Sequence, residues 1–332
     1  GTDDDKGPAV AALLAMQAVR DLGVPLKHNA RLLLGTDEES GSSDIEYYYG
    51  KEPYAPCTFS PDGEFPVINI EKGSYKPVFT KTWEAETATP RVKELHGGFR
   101  INVLPPEAEC VIAGLSAEAA RPYCDQAAAH TGASFELREE GDNLRIFCHG
   151  TGAHASTPEE GNNAITALLH LLTLLPLAKV GSTAALRALA VLFPHGDCAG
   201  KALGIAQEDA ESGPLTLNLA LMKLTETGFT AKFDVRFPLC ANEDNCKKAC
   251  EASFAAHGIA VTGSPDMTTV HCVEAGSPLV RTLLNCYSTY TGVKDPKPIA
   301  IGGGTYVHNL EGGVSFGITT GARTNVYAGQ AD

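Results

Sequence analysis

The pattern of apolar residues changes character twice along the chain, and this feature limits the possible folds more than any other. Residues 8–22 predict a helix, because a proline stands in the first turn, alanine and leucine follow, and Gly23 provides the stop. Apolar runs at 31–35 and 66–70 are short enough to be buried strands. A helix followed by buried strands is typical of α/β proteins and predicts a parallel sheet.

The middle of the chain has a different pattern. Between residues 228 and 237, apolar residues alternate with Thr230, Lys232, Asp234 and Arg236, which is typical of a half-buried antiparallel strand. Further strands are predicted at 102–114, 143–149 and 215–224, and helices at 117–130, 162–175 and 243–257. This mixture predicts an α+β domain.

The α/β pattern returns after about residue 272. A predicted helix at 277–291 is followed by an apolar run and a glycine-rich turn at 302–305. The chain has 332 residues, more than the roughly 250–300 that one hydrophobic core accommodates. We therefore predict an α/β domain formed by residues 1–73 and 273–332, interrupted by an inserted domain at 74–272.

Composition excludes several classes of partner and location. Lys and Arg number 26 against 40 Asp and Glu, and the net charge of −14 repels nucleic acid and anionic membrane surfaces. The apolar stretch at 165–178 is shorter than the ~20 residues that a membrane span needs, so it predicts a buried helix. No signal peptide is visible, and ten scattered cysteines predict reduced, mostly buried thiols in a cytoplasmic protein. Cys246 and Cys250, one helical turn apart, leave a shared metal as an alternative.

Three acidic clusters stand near the ends of predicted elements: residues 3–5, residues 37–39 and Asp62. In open α/β sheets, groups beyond the carboxyl ends of strands line the ligand crevice. Carboxylates packed together raise one another's pKa, and a divalent cation removes that repulsion. Two adjacent glutamates, Glu38 and Glu39, could then divide the tasks of general base and metal ligand. Solvated loops and helix caps are the alternative, and composition and spacing do not decide between the two.

Seven segments in order carry further information. Three contain the acidic clusters (1–8, 35–41 and 61–66), and four follow them (101–105, 150–158, 234–238 and 302–306). Together they resemble the successive motifs of the M20 family of metallopeptidases, with the closest likeness to its dipeptidase V subgroup. The resemblance covers nearly the whole chain, and so many motifs in the correct order are a specific signal.

The resemblance implies a zinc-peptidase-like catalytic domain with a central mixed sheet, interrupted by an inserted α+β lid domain. It implies hydrolysis of dipeptides at two divalent metal ions, zinc first, with manganese or cobalt as alternatives. Asp4 corresponds to the carboxylate that bridges the metals, and Glu39 and Asp62 correspond to ligands of one metal each. Glu38 corresponds to the general base, and His154 to a lid histidine that stabilises the oxyanion.

Substrate contacts are implied for five residues: Asn102, Arg236, Gly303, Gly304 and Thr305. A guanidinium suits a substrate carboxylate because it can bind both oxygens. For Arg236 the alternative is a solvated sheet face shared with Lys232 and Asp234, and for His154 it is a structural role. The long lid favours a monomer that acts on a small peptide.

Two expected histidine ligands are absent. The chain begins inside the first acidic motif, so the family's upstream His-x-Asp motif is missing, and Tyr327 or Gly329 stands where the second histidine is expected. A milder difference is His308, where relatives often carry arginine. We therefore expect a fragment of a longer reading frame, truncated at both ends, whose activity as given is impaired. Two other interpretations stay open: an M20 N-acyl amino acid deacylase or amidohydrolase, and a catalytically inactive M20-fold peptide-binding protein.

Overall fold

The computed structural model describes residues 6–38, 41–263 and 266–319, which fall into two compact units. The first unit takes the described residues up to Lys72 and from Val270 onward, and the second takes those from Gly73 to Thr269. Each unit contains a sheet of its own.

The helices and strands follow one another along the chain in three blocks. The first unit opens with α1 (Gly7–Asp21), α2 (Ser43–Tyr49), β1 (Phe59–Ser60) and β2 (Ile68–Glu71). The second unit contains β3 (Gly73–Tyr75), β4 (Val78–Thr82), β5 (Arg91–Gly97), β6 (Val103–Leu104), β7 (Glu107–Ala113), α3 (Ala117–Thr131), β8 (Ser134–Glu140), β9 (Asn143–His149), β10 (Ala153–His154), α4 (Ala164–Leu174), α5 (Gly181–Leu192), β11 (Glu208–Asp209), β12 (Gly213–Pro214), β13 (Thr216–Thr225), β14 (Gly228–Phe237), α6 (Ala249–Ala256) and β15 (Ala260–Gly263). The chain then returns to the first unit with β16 (His271–Cys272), α7 (Pro278–Thr291), β17 (Ile299–Ile301) and β18 (Val314–Ser315).

The sheet of the first unit is built around β2. This strand pairs in parallel with β17 and antiparallel with β16 and β18, and β1 adds in parallel to β18. Val67, just before β2, packs with Val280 and Leu283 of α7 and with Val314 of β18. The predicted central mixed sheet is confirmed, whereas the fully parallel sheet suggested by the helix–strand pattern is wrong, because β16 and β18 run antiparallel to β2.

One predicted strand of the first unit does not form. Residues 31–35 have no strand partner among the described residues, and Leu34 is 71% exposed. An apolar run becomes a strand only where a neighbouring strand takes up its backbone N–H and C=O groups, and the described residues provide no such partner. The predicted helix before it is confirmed as α1, which ends at Asp21 just before Gly23 at φ +65°.

The second unit is an α+β structure with a nine-stranded sheet. Its path runs β15-β4-β14-β13-β5-β7-β9-β8, with β3 also pairing with β14, and every pairing is antiparallel. Aromatic rings pack on one side of it, with centroids 4.7–6.0 Å apart: Phe79, Phe193, Phe229, Phe233 and Phe254. This cluster forms the core on that face.

Strand β14 follows the predicted alternation only in its first half. Phe229 and Ala231 are buried while Thr230 is exposed, but every residue from 233 to 237 is buried. Asp234 is 0% exposed and Arg236 is 8% exposed. The interpretation of this end of the strand as a solvated sheet face is therefore wrong, because the polar face is covered as well as the apolar one.

The apolar stretch at 165–178 begins as the buried helix that its length predicts. In α4, eight of eleven residues are buried, and the Asn163 side chain caps the start by accepting from the N–H of Thr166. Over the described ranges, no helix is long and apolar enough to cross a membrane. No disulfide links the ten cysteines, and five are buried. The prediction of mostly buried thiols is wrong for the four exposed ones: Cys57, Cys240, Cys272 and Cys286.

Candidate active site

The predicted site residues divide between the two units. The first unit holds Glu38, Asp62, Gly303, Gly304 and Thr305. The second unit holds Asn102, His154 and Arg236. Four predicted positions lie outside the described residues: Asp4, Glu39, Tyr327 and Gly329.

Asp44 fixes the backbone that leads into Glu38. Its Oδ2 accepts hydrogen bonds from the backbone N–H of Thr36 at 2.7 Å and of Asp37 at 3.2 Å. The same oxygen accepts from the hydroxyl of Tyr306 at 3.0 Å, and that hydroxyl accepts from the Asp37 N–H at 3.1 Å. Burial raises the pKa of the Asp44 carboxyl, but the hydrogen bonds, led by that from Thr36, outweigh it and lower the pKa below its usual value. The charged carboxylate therefore holds residues 36 and 37 in one conformation.

Asp37 belongs to the start of α2 rather than to an open cluster of carboxylates. Its Oδ2 accepts from the backbone N–H of Ser43 at 2.9 Å and from the Ser43 hydroxyl, while its C=O accepts from the N–H of Ser42 at 2.8 Å. This is a capping arrangement, the alternative that composition left open for Asp37. The neighbouring Glu38 is half-buried.

Glu71 anchors the glycine-rich turn of the first unit. It lies at the end of β2, is 0% exposed, and accepts from the Thr305 hydroxyl at 2.7 Å and the Thr305 N–H at 3.2 Å. His308 Nδ1 lies 3.0 Å from its second oxygen. A buried carboxylate needs such partners to offset its lost hydration. Since the N–H and the hydroxyl of Thr305 both donate to Glu71, Thr305 positions the loop, whereas Gly303 is half-buried and Gly304 is exposed.

Asp62 lies just after β1. It is half-buried, two residues beyond the last residue of that strand, and precedes Gly63, which has φ +119°. A backbone conformation of that kind favours glycine. The position at a strand end agrees with the place that the sequence predicts for a ligand-binding carboxylate.

In the second unit, His154 has a defined tautomer. It lies in β10, where it pairs with Val103 of β6. Its Nδ1 accepts from the backbone N–H of Ser156 at 3.3 Å and lies 2.6 Å from the Ser156 hydroxyl. A backbone N–H can only donate, so Nδ1 is the acceptor and the proton of the neutral ring is on Nε2. The ring is therefore set to act as a donor through Nε2.

Asn102, His154 and Arg236 belong to one region of the second unit. The C=O of Asn102 accepts from the N–H of Ala155 at 2.9 Å, next to His154. The hydroxyl of Thr216 donates to the C=O of Ala155 at 3.3 Å, and Thr216 stands directly opposite Arg236 in the β13–β14 pair. Residues directly opposite share a face of the sheet, so three predicted substrate-binding or catalytic residues lie beside the same face.

Arg236 is engaged by a neighbour on its own strand. Its Nε donates to Oδ1 of Asp234 at 2.8 Å and its Nη2 donates to Oδ2 at 3.0 Å. The pair is bidentate and almost completely buried, with side-chain exposures of 9% and 0%. Such a pair fixes the plane of the guanidinium.

A divalent metal at the predicted site would take its ligands from carboxylates of the first unit. Over residues 6–38, 41–263 and 266–319, no group of three or more His, Cys, Asp or Glu side chains is placed to hold a metal ion. Of the predicted ligands, Asp62 is described, and Asp4 and Glu39 lie outside these ranges. The predicted donors are carboxylate oxygens, which suit zinc and manganese alike, so their chemistry fits a divalent metal without selecting one.

The motif order, the mixed sheet and the loops that carry these residues agree with one family. The sequence model of Peptidase family M20/M25/M40 matches residues 1–330, and the chain belongs to that family. Membership confirms the sequence resemblance, identifies the protein as a peptidase, and implies dependence on a divalent metal.

Comparison with curated proteins gives relatives of the same kind. The chain is 33% identical over 322 residues to "Putative dipeptidase YtjP" of Bacillus subtilis (strain 168), covering 96% of this chain and 68% of the relative. It is 31% identical over 320 residues to the Beta-Ala-Xaa dipeptidase of Lactobacillus delbrueckii subsp. lactis, covering 96% and 67%. The chain thus spans about two thirds of the length of these relatives. Among solved structures, the aminoacylhistidine dipeptidase of Vibrio alginolyticus has 11% identity and a TM-score of 0.41, covering 79% of this chain and 59% of that one.

Sequence reasoning missed four residues that the structure places in these networks: Asp44, Glu71, Asp234 and Tyr306. Asp44 has the sequence appearance of a first-turn helix residue, and Asp234 that of a solvated strand residue. Asp234 and Tyr306 lie inside the motif segments 234–238 and 302–306, and Glu71 carries a signal of its own, because an acidic residue directly after the apolar run 66–70 is unusual in a buried strand.

Proposed function

We propose that the protein is a metal-dependent dipeptidase in which Glu38 is the general base. The observation that carries the proposal is membership of the peptidase family over residues 1–330, together with relatives above 30% identity that are named as dipeptidases. Two contacts support the proposal as well: Asp44 holds the backbone that precedes Glu38, and the N–H of Ser156 donates to Nδ1 of His154.

The metal would be held by Asp62 with Asp4 and Glu39, and we expect two ions, with zinc, manganese or cobalt as candidates. When bound, such ions polarise the scissile carbonyl and lower the pKa of water. Glu38 then accepts the proton of the attacking water and passes it to the leaving amine.

His154 has the role of oxyanion donor in this proposal. Its Nε2–H is the donor of the neutral ring, as required by the bonds that Ser156 makes to Nδ1. A positioned donor of this kind is worth about 10²–10³ in kcat when it meets the developing charge. Asn102, Arg236, Gly303 and Gly304 bind the peptide, and Thr305 holds the glycine loop through Glu71.

A substrate panel tests the proposal. The purified protein, expressed from its complete reading frame, is loaded with zinc or with manganese and given unblocked dipeptides and N-acetyl amino acids, with release of free amino acids as the readout. We expect cleavage of dipeptides that a chelator abolishes and that metal restores. Cleavage restricted to N-acetyl amino acids would replace the proposal by deacylation, and no cleavage of either class after metal loading would contradict it.

The remaining expectations concern the oligomeric state, the location and the partners of the protein. We expect a monomer in the cytoplasm, which sedimentation and cell fractionation can check. The net charge of −14 disfavours nucleic acid as a partner, and nucleic acid has no role in the proposal.

A further inference from the structure

Three histidine rings come together where α3, α4 and the segment after α5 meet in the second unit. His130, in the last turn of α3, stacks on His170 of α4, with ring centroids 4.3 Å apart and an angle of 17° between the planes. His195 follows the last residue of α5 by three positions, and both other rings are close enough to act on it electrostatically. The proposed function gives none of these three histidines a role.

The hydrogen bonds of His195 define where its protons lie. Its Nε2 is 3.0 Å from the C=O of Thr131, and Nε2 carries a proton because a carbonyl can only accept. Its Nδ1 is 2.9 Å from the hydroxyl of Thr166, which can donate to it. The neutral ring therefore satisfies both partners, and the proton that would charge the ring has to be added at Nδ1, in a half-buried position.

The surroundings of these rings favour their neutral form. Burial is the main cause that lowers the pKa of His170, and the ring of His130 adds to it. Burial also lowers the pKa of His195, the bond to Thr131 opposes that shift, and His170 and His130 add to it. Two imidazolium charges in a stack with centroids 4.3 Å apart would repel each other.

The described residues supply no carboxylate to these three rings, since none lies within 4 Å of their nitrogens. Helix α4 contains no Asp, Glu, Lys or Arg, the one charged residue of α5, Arg187, is exposed, and the charged residues of α3 are exposed as well. Glu139 of β8 accepts from the N–H of Ala117 at the other end of α3. The oxygens of Asp197, close to His195 in sequence, accept instead from three backbone N–H groups, those of Ala199, Lys201 and Ala202.

Hydrogen bonds connect this cluster to the segment that carries His154. The C=O of Thr131 accepts from Nδ2 of Asn162 at 2.8 Å as well as from Nε2 of His195. The backbone of Asn162 exchanges two hydrogen bonds with Thr151, at 2.8 and 2.9 Å. Thr151 precedes His154 by three positions. Thr131 therefore joins the end of α3, His195 and the segment 151–162 in one network.

We infer that His130, His170 and His195 form an acid-sensitive latch, which holds α3, α4 and the segment 151–162 together at neutral pH and releases that segment in acid. The pKa values of His170 and His195 are lower in the folded than in the unfolded protein. These rings therefore stay neutral in the folded protein and take up protons on opening once the pH falls below about 6.5. The stability that the neutral rings contribute is complete above that pH and is lost progressively below it. Neither a metal nor a peptide takes part in this step.

Hydrogen–deuterium exchange at the amides of Thr151 and Asn162 measures the release, because these two amides donate to each other's carbonyls. The protein, expressed from its complete reading frame, is compared at about pH 7 and about pH 5.5, and each rate is divided by that of an unstructured peptide at the same pH. The variants are His170→Gln, His195→Gln and the two combined, since glutamine does not titrate and at position 195 can still donate to the C=O of Thr131. His96→Gln is the control, because His96 is an exposed histidine of β5 in the same unit.

We expect the opening constant of the wild type to rise by about tenfold or more between about pH 7 and about pH 5.5, because each histidine that gains a proton on opening contributes up to about eightfold. His96→Gln should match the wild type, each single variant should reduce the rise, and the double variant should show a rise of less than about twofold. An equal rise in the wild type and the double variant would overturn the inference, as would a wild type whose opening constant does not depend on pH. If the double variant does not fold, the single variants decide, and a rise in both that equals the rise in His96→Gln would refute the latch.

Discussion

The bonds that Asp44 makes to residues 36 and 37 give a prediction that can be worked out from the structure. Asp44→Ala removes one hydroxyl and two backbone hydrogen bonds from Oδ2, at 3.0, 2.7 and 3.2 Å. Hydrogen bonds to a charged group contribute about 1.5–3 kcal/mol each when buried, and about 1 kcal/mol at a half-exposed site such as this one. The local free energy of opening should therefore fall by about 2–3 kcal/mol.

Hydrogen–deuterium exchange measures this quantity directly, because the amides of Thr36 and Asp37 are themselves the donors. A loss of about 2–3 kcal/mol corresponds to exchange about 30–150 times faster at these two amides. Tyr306→Phe keeps both backbone bonds to Asp44 and should accelerate exchange only about fivefold. Asp21→Ala is the control, since it removes an exposed carboxylate that is paired with Arg20.

Two results would refute this reasoning. Exchange at residues 36 and 37 within twofold of the wild type in Asp44→Ala would show that the carboxylate does not hold this backbone. An equal acceleration in Asp44→Ala and Tyr306→Phe would show that the hydroxyl alone is responsible. If Glu38 is the base, Asp44→Ala should also lower kcat more than it changes KM, because the adjacent backbone positions Glu38.

Two further predictions concern the stability of the second unit. Gly98→Ala should lower the free energy of unfolding by more than about 2 kcal/mol, because Gly98 has φ +79° and an added Cβ would lie 1.8 Å from a backbone oxygen. Gly141→Ala is the matched control: Gly141 has φ +62° with open space around it, and the substitution should cost only about 1 kcal/mol. Urea unfolding followed by tryptophan fluorescence checks the difference. Burial raises the pKa of Asp209, but hydrogen bonds led by those from Ser212 outweigh it and lower the pKa to about 2. Because the pKa of Asp209 is lower in the folded than in the unfolded protein, its charged carboxylate stabilises the folded state at pH values above the unfolded pKa. This contribution, about 1–2 kcal/mol after allowance for solvent, is lost between about pH 4 and pH 2. The stability difference between the wild type and Asp209→Asn should narrow over that range, and a constant difference would contradict the assignment.

Much of the second unit was predicted correctly, because alternation, helix caps and turn residues mark its elements within short stretches of sequence. The strands at 143–149 and 228–237 were predicted with their observed bounds, since alternation and turn residues mark both ends. The helix at 117–130 was predicted to within one residue, with Ser116 as its cap and Gly132 after it. In each case, residues close in sequence carry the information.

The incorrect and missed predictions have a different physical origin, because they depend on residues that are distant in sequence. The run 31–35 has strand composition, but strand formation depends on a distant partner that the sequence does not name. Likewise, Glu71 and Thr305 are 234 positions apart, and their hydrogen bond follows from the pairing of β2 with β17. The burial of Asp234 depends on the segment that covers its face, and no periodicity within β14 reveals it.

In the candidate site, too, motif positions were predicted from the sequence and long-range contacts were not. Motif order predicted where Glu38, Asp62 and the glycine loop lie along the chain, and the structure places Glu38 after a fixed backbone and Asp62 at a strand end. Their roles in catalysis are still predictions. The residues that position them, Asp44 and Glu71, belong to no motif in the sequence and become visible only through their hydrogen bonds.

If Glu38 is the general base of a metal-dependent dipeptidase, as we propose, Glu38→Gln should remove turnover and leave the metal in place. Kinetics of dipeptide hydrolysis and metal content by mass spectrometry are measured on the same metal-loaded preparations of wild type and variant. We predict that kcat falls by about 10²–10⁴ while the bound metal per chain is unchanged, because the amide cannot accept the proton of water. An unchanged kcat with unchanged metal content would exclude Glu38 as the general base.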